Sequence, residues 1–249
     1  MGVAAVLFDF HETLISADRW MALETGGIAT EVLRALGAWN GGPAEHARTL
    51  VEQTHARLRA ISRDTGIEYG AAEITRILLT DLGLYGRFPR AAIETAVETL
   101  FRSYLPDVRL KPSAAEGLDA LARGGYRMGI ISNATYGPFI GWALQRLGVG
   151  GFFEHIVVSA DVGLRKPRRE IFDAALAAMR VPAAAAVYVG NDYLKDVVGA
   201  KLAGLRAIWL PHHGARDDGA YTPVHPDAVA DRLTALSDLI APWRGATVS

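Results

Sequence analysis

The hydrophobic pattern changes period twice along this chain. Residues 3–8, Val-Ala-Ala-Val-Leu-Phe, are apolar without alternation, as in a strand covered on both faces within a parallel sheet. From residue 15 to about 106 apolar positions recur at helical spacing, with helices expected over 19–36, 44–62, 71–82 and 90–104. Ile74, Ile77, Leu78 and Leu82 show that spacing clearly. Gly41-Gly42-Pro43, Gly66 and 83–89 punctuate these helices, and no strand is expected among them. After Pro112 strands and helices alternate. Helices are expected over 113–123, 138–147 and 169–179, and strands over 126–131, within 153–159, and over 185–189 and 206–210. Residues 228–240 read as mainly helical. Such alternation implies a parallel sheet with helices on both faces. The expected fold class is α/β, a doubly wound, Rossmann-like core of 1–14 and 108–249 with a helical insertion at 15–107. An insertion there sits over the carboxyl ends of the strands, where it can act as a lid.

Composition narrows the functional classes. The 249 residues are half apolar with a net charge of −1, and the 26 basic residues are scattered, so no nucleic-acid partner is expected. The absence of cysteine excludes disulfides, thiolate metal sites and a cysteine nucleophile, and it suits a cytoplasmic location. No basic segment precedes the first apolar run, and no run reaches the ~18 residues of a membrane span, so neither a signal peptide nor a membrane partner is expected. Trp20, Trp39, His46, His55 and Arg59 in the helical segment read as core aromatics and a solvated polar face, a few of them candidates for a pocket wall.

Polar residues stand where the strands end. Asp9, Ser132-Asn133, Lys166 and the group Asn191, Asp192 and Asp196 would converge on the crevice at the carboxyl edge of such a sheet. Taken singly, Ser132-Asn133 reads as a turn, and Asp192 and Asp196 read as carboxylates at a helix start. Lys166 carries more weight, because the chain has only four lysines, at 111, 166, 195 and 201.

In this order the strand ends resemble the four motifs of the haloacid dehalogenase (HAD) superfamily. Asp9-Phe10-His11-Glu12-Thr13-Leu14 is similar to the first, Ile130-Ile131-Ser132-Asn133 to the second and Arg165-Lys166-Pro167 to the third. The segment 189–200, Val-Gly-Asn-Asp-Tyr-Leu-Lys-Asp-Val-Val-Gly-Ala, is similar to the fourth, and the insertion resembles the family's helical C1 cap. The resemblance implies a hydrolase, most naturally a phosphatase of a small phosphorylated metabolite working through an aspartyl-enzyme intermediate on Asp9. Lys166 would offset the charge of the nucleophile and of an anionic substrate. It further implies substrate binding by Ser132, Asn133 and Thr13, Mg²⁺ held by Asp9, His11, Asn191 and Asp192, and supporting roles for Asp196 and Glu12. Two positions depart from the family pattern. His11 stands where its phosphatases carry an acid–base Asp, a task that imidazole suits near neutral pH. Asn191 stands where an Asp is usual, which weakens the expected Mg²⁺ site. The alternatives are a metal-independent hydrolase of carbon–halogen or carbon–heteroatom bonds and a HAD-fold binding protein without turnover.

Overall fold

Strand β1 (Ala5–Phe8) lies in the interior of a six-stranded sheet, and its alternation divides two apolar layers. Val6 and Phe8 face one layer, with Ile130, Val187 and Ile208, while Ala5 and Leu7 face the other, with Phe172, Tyr188 and Ala207. The computed structural model describes residues 2–38, 45–211 and 224–245, with side chains described from residue 48 in the second stretch. Trp39, the side chain of His46 and the break at 41–43 therefore lie outside the described residues.

After β1 come β2 (Ile15–Ser16), α1 (Asp18–Ala22), a π turn (Leu23–Gly27), α2 (Ile28–Ala35), α3 (Glu45–Thr65), α4 (Ala71–Asp81), α5 (Arg90–Tyr104) and β3 (Arg109–Leu110). The chain then alternates through α6 (Ala114–Arg123), β4 (Arg127–Ser132), α7 (Gly137–Arg146), β5 (His155–Val158), α8 (Ser159–Val162) and α9 (Arg169–Met179). It continues through β6 (Ala186–Gly190), a second π turn (Tyr193–Val198), α10 (Gly199–Leu202), β7 (Arg206–Trp209), β8 (Ala228–Val229) and α11 (Leu236–Ile240). The sheet order is β5-β4-β1-β6-β7-β8, and every pair is parallel. Connections build outward from β1 through β4 to β5, then return to its other side at β6. That reversal opens a crevice beyond the carboxyl ends of β1 and β6.

Helical spacing explains how the covering helices bind the sheet. In α9 the buried residues Ile171, Phe172, Ala175, Leu176 and Met179 make one stripe along the helix. The helices of the insertion share a cluster of their own, which includes Leu33, Val51, Leu58, Leu78 and Ile93. Other residues of the insertion join the main core, among them Leu23, Ile28, Phe101 and the fully buried Trp20, which is stacked 4.8 Å from Phe139 of α7 and edge-on to Phe10 at 5.9 Å.

The structure corrects the sequence reading in three places. Ile15–Ser16 pairs antiparallel with Arg109–Leu110, so the two crossings into and out of the insertion are zipped into a ribbon. Two-residue strands are too short to show a period of two. Residues 228–240 are only partly helical, because Ala228–Val229 adds the edge strand beside β7 and α11 begins at Leu236. The expected helix over 19–36 is interrupted by the first π turn, which absorbs the five-residue step from Leu23 to Ile28 and keeps both buried.

The insertion also meets the sheet domain at a seam away from the ribbon. Arg165 N donates to Gly66 O at 2.9 Å, Glu68 N to Gly163 O at 2.9 Å, and Ala71 N to Thr135 O at 2.8 Å. Gly66 has φ +74°, and a Cβ there would lie 2.3 Å from Arg168 Cγ, so this approach requires glycine.

Candidate active site

Beyond β1 the backbone stays in the ladder for one more residue, Asp9 N donating to Val189 O at 2.9 Å, and the Asp9 side chain turns into the crevice. There it meets Lys166, whose ammonium is 2 % exposed and distributes its three hydrogens among three acceptors. Lys166 Nζ donates to Asp9 Oδ1 at 2.6 Å, Asp196 Oδ1 at 2.7 Å and Tyr188 Oη at 2.7 Å, and Tyr188 passes its own proton to Ile131 O at 3.1 Å. Burial works against the ammonium, yet Asp196 and Asp9 outweigh it and hold the Lys166 pKa above its ordinary value. Burial pushes Asp196 up to about 6 against the pull of Lys166. Gly190 makes room for this cluster, because a Cβ there would lie 2.4 Å from Asp196 Cγ.

The loop carrying Lys166 is held by a two-bond clasp. Lys166 N donates to Asn133 Oδ1 at 2.8 Å, and Asn133 Nδ2 donates to Lys166 O at 3.0 Å. Across the crevice, Asp196 Oδ2 accepts from Asp192 N at 2.9 Å. The Asp192 carboxylate accepts from Lys195 N at 2.8 Å and pairs with the Lys195 ammonium. Burial would raise the Asp192 pKa, and the Lys195 contacts overcome it and lower it. Thr13 Oγ1 lies within donating distance of Asn191 Oδ1, at 3.1 Å, and of Asp9 Oδ2, at 3.4 Å.

Asp9, His11, Glu12, Asn133, Lys166 and Asp192 all open on one cavity of about 380 Å³, whose wall also includes Asn191 and Asp196. Thr13 and Ser132 are brought to the same neighbourhood but stand behind that wall, both buried. The His11 ring sits edge-on to Trp20 at 5.6 Å, and burial lowers its pKa against the opposing pull of Glu12 and Asp9. Glu12 pairs with Lys111, and its Oε1 lies 3.8 Å from His11 Nε2.

The facing wall, from the insertion, escaped the sequence reading. Glu24, beside the first π turn's start, accepts from Thr135 N at 3.1 Å, and burial raises its pKa to about 7. Glu68 accepts from Ser159 Oγ at 2.8 Å and faces Arg165 at 3.6 Å, and burial raises its pKa as well. His55 lines the cavity too, and its Nε2 is buried with no hydrogen-bond partner among the described residues. Nothing local marks Glu24 or Glu68 among the other acidic residues of the insertion. Tyr188 did carry a signal, a phenol inside the apolar strand Ala-Val-Tyr-Val-Gly two residues before Gly190.

Comparison with known proteins agrees with this arrangement. The family described as haloacid dehalogenase-like hydrolase, a hydrolase, matches residues 3–204. A glyceraldehyde 3-phosphate phosphatase of Methanothermobacter thermautotrophicus is 40% identical over 82% of this chain and 84% of its own length. A ribulose-1,5-bisphosphate 5-phosphatase of Halopiger xanaduensis is 29% identical over 95% of this chain and 99% of its own. Among solved structures, a 2-haloacid dehalogenase from Pseudomonas syringae pv. Tomato superposes with a TM-score of 0.70 at 25% identity, covering 97% of this chain and 99% of its own. No helix among the described residues is long and apolar enough to cross a membrane.

Proposed function

The chain belongs to the haloacid dehalogenase-like hydrolases, and on that basis we propose a phosphatase that hydrolyses small phosphate monoesters through an aspartyl-phosphate on Asp9. The observation that carries this reading is the Lys166 ammonium, buried and bonded to a carboxylate that opens on the cavity. A fixed cation there lets an anionic nucleophile and an anionic phosphoryl group approach each other.

In the first step an Asp9 carboxylate oxygen attacks phosphorus and the bond from phosphorus to the leaving oxygen breaks. His11, as imidazolium, gives that oxygen its proton. Neutral His11 then takes a proton from water, whose oxygen attacks the phosphorus of the aspartyl-phosphate and releases phosphate, restoring Asp9 and the imidazolium. The Asn133 clasp and Tyr188 keep Lys166 in place throughout. Asp9, Asp192 and Asn191 offer oxygen to a hard cation, and Mg²⁺ commonly binds through one or two carboxylates while keeping several waters. Two carboxylates and one amide carry little charge for a divalent ion, so the donor set suits a loosely held one. His11 would contribute to it best through its backbone oxygen, because a ring nitrogen matches Mg²⁺ poorly. When bound, Mg²⁺ would supply charge to the phosphoryl oxygens. The insertion at 15–107 would serve as a cap over the core, contributing the Glu24, Glu68 and His55 wall that meets the leaving group.

The test is a panel of phosphate monoesters and 2-haloacids, each with and without Mg²⁺. Phosphate release that rises with Mg²⁺ is the expected result. Halide release insensitive to chelator would replace the reading with a dehalogenase, and binding without any turnover would retire catalysis.

A further inference from the structure

Glu12 is one of three non-glycine residues among those described with positive φ, and of these it alone lines the cavity. Its φ of +62° lies in the left-handed region, where a side chain is strained and glycine is not. Strained backbone persists where surrounding contacts enforce it, and it clusters at functional sites. The backbone is held there by Glu12 N donating to Ile15 O at 2.7 Å, and the side chain is held by Lys111, whose Nζ lies 2.5 Å from Glu12 Oε2. Lys111 directly follows β3, and its backbone N donates to Leu14 O at 2.9 Å. The pair therefore joins the loop after β1 to the returning strand of the ribbon. The other Glu12 oxygen, Oε1, stands 3.8 Å from His11 Nε2, while the Trp20 ring bounds the imidazole at 5.6 Å.

We propose that Glu12, held by Lys111, is a positioning residue that fixes the His11 imidazole between a carboxylate edge and the Trp20 ring. The proposal rests on the acid–base role of His11 in the phosphatase reading. Glu12 need not touch the substrate; it limits the rotation of a ring that must reach both the leaving oxygen and the incoming water. The strained backbone is then retained for the sake of the side chain it carries.

The test pairs a stability measurement with two functional ones. Glu12→Gly removes the strain as well as the carboxylate, so its melting midpoint should rise by about 2–4 °C. Its kcat should nevertheless fall on the order of 10–100-fold, with KM nearly unchanged. Lys111→Met should lower kcat similarly, and the double variant should lose little more than either single one, because the two side chains act as one device. Glu12→Gln, which keeps an oxygen for Lys111, should recover part of the loss. The His11 ring carbon–proton signal in NMR, assigned by its absence in His11→Ala, should broaden or split in Glu12→Gly. That signal needs no turnover, so failure of the phosphatase reading and failure of this one are distinguishable. A Glu12→Gly protein with wild-type kcat overturns the proposal, as does an unchanged His11 signal or a double variant whose losses multiply.

Discussion

The cavity has two walls held in different ways. At the sheet end, Lys166 sits within 2.6–2.7 Å of Asp9, Asp196 and Tyr188, with every ammonium hydrogen assigned. On the insertion wall, Glu24 is held by a backbone N–H at 3.1 Å, and the Glu68–Arg165 pair is 3.6 Å apart. One wall is a buried ionic network whose members fix one another. The other consists of carboxylates with separate partners, Glu24 on Thr135 and Glu68 on Ser159 and Arg165, and no one cation among the described residues ties them together. The difference suits a division of labour in which the sheet end fixes the reaction and the insertion wall accommodates what is attached to it.

Breaking the sheet-end wall should have the largest effects. Asp9→Asn keeps the shape and removes the proposed nucleophile, so kcat should fall by roughly 10,000-fold or more, above ~5 kcal/mol of barrier. Steady-state phosphate release measures it, and a loss smaller than tenfold would take the nucleophile role from Asp9. Lys166→Met leaves two carboxylates at the buried site without their cation. Stability should drop by about 3–5 kcal/mol, read by urea denaturation, and a drop under ~1 kcal/mol would mean that Asp9 and Asp196 find other compensation.

The insertion wall should respond more gently, and through pH. The Glu24 pKa of about 7 stands above its ordinary 4.5, so between those values the folded chain binds a proton that the unfolded chain has released. Its contribution is full below pH ~4.5 and is lost as pH rises through 7, a decline on the order of 3 kcal/mol. Glu24→Gln should flatten that slope in denaturation series across pH 4.5–7, leaving a residue from Glu68 and Asp196, whose pKa values are also raised. An identical slope in wild type and variant would mean that Glu24 titrates normally. Smallest of all, Arg165→Ala loosens a partly exposed pair and should cost about 0.5–1 kcal/mol. A melting shift of more than ~5 °C would show that the seam is as tightly coupled as the sheet end.

What was legible in the sequence follows the same division. The buried strands β1, β4 and β6 announce themselves as unbroken apolar runs, so the polar residues at their ends stand out and Asp9, Lys166 and Asp196 could be named from the chain alone. Hydrogen-bond partners were less legible. Asn133 was expected at the substrate, and it lines the cavity while its amide also clasps the Lys166 backbone, a pairing no local pattern records; Ser132 and Thr13, expected beside it, are buried next to that wall. Glu24 and Glu68 meet Thr135 and Ser159 across 111 and 91 residues of sequence, and no local period records such a meeting. The β2–β3 ribbon and β8 were missed because two residues cannot display a period.

The seam at residues 66–71 bears on how a substrate could enter. A rigid body joined at one place can swing and twist about it. The insertion's backbone is joined at two, through the ribbon pairing Ile15–Ser16 with Arg109–Leu110 and through the backbone bonds of Gly66, Glu68 and Ala71, and Trp20 stacked on Phe139 holds it by side chains as well. While these attachments persist, the insertion cannot swing as a free body. Any wide opening has to break three backbone hydrogen bonds at the seam or unstack Trp20 from Phe139, so movement that would widen the cavity is opposed by both backbone and aromatic contacts.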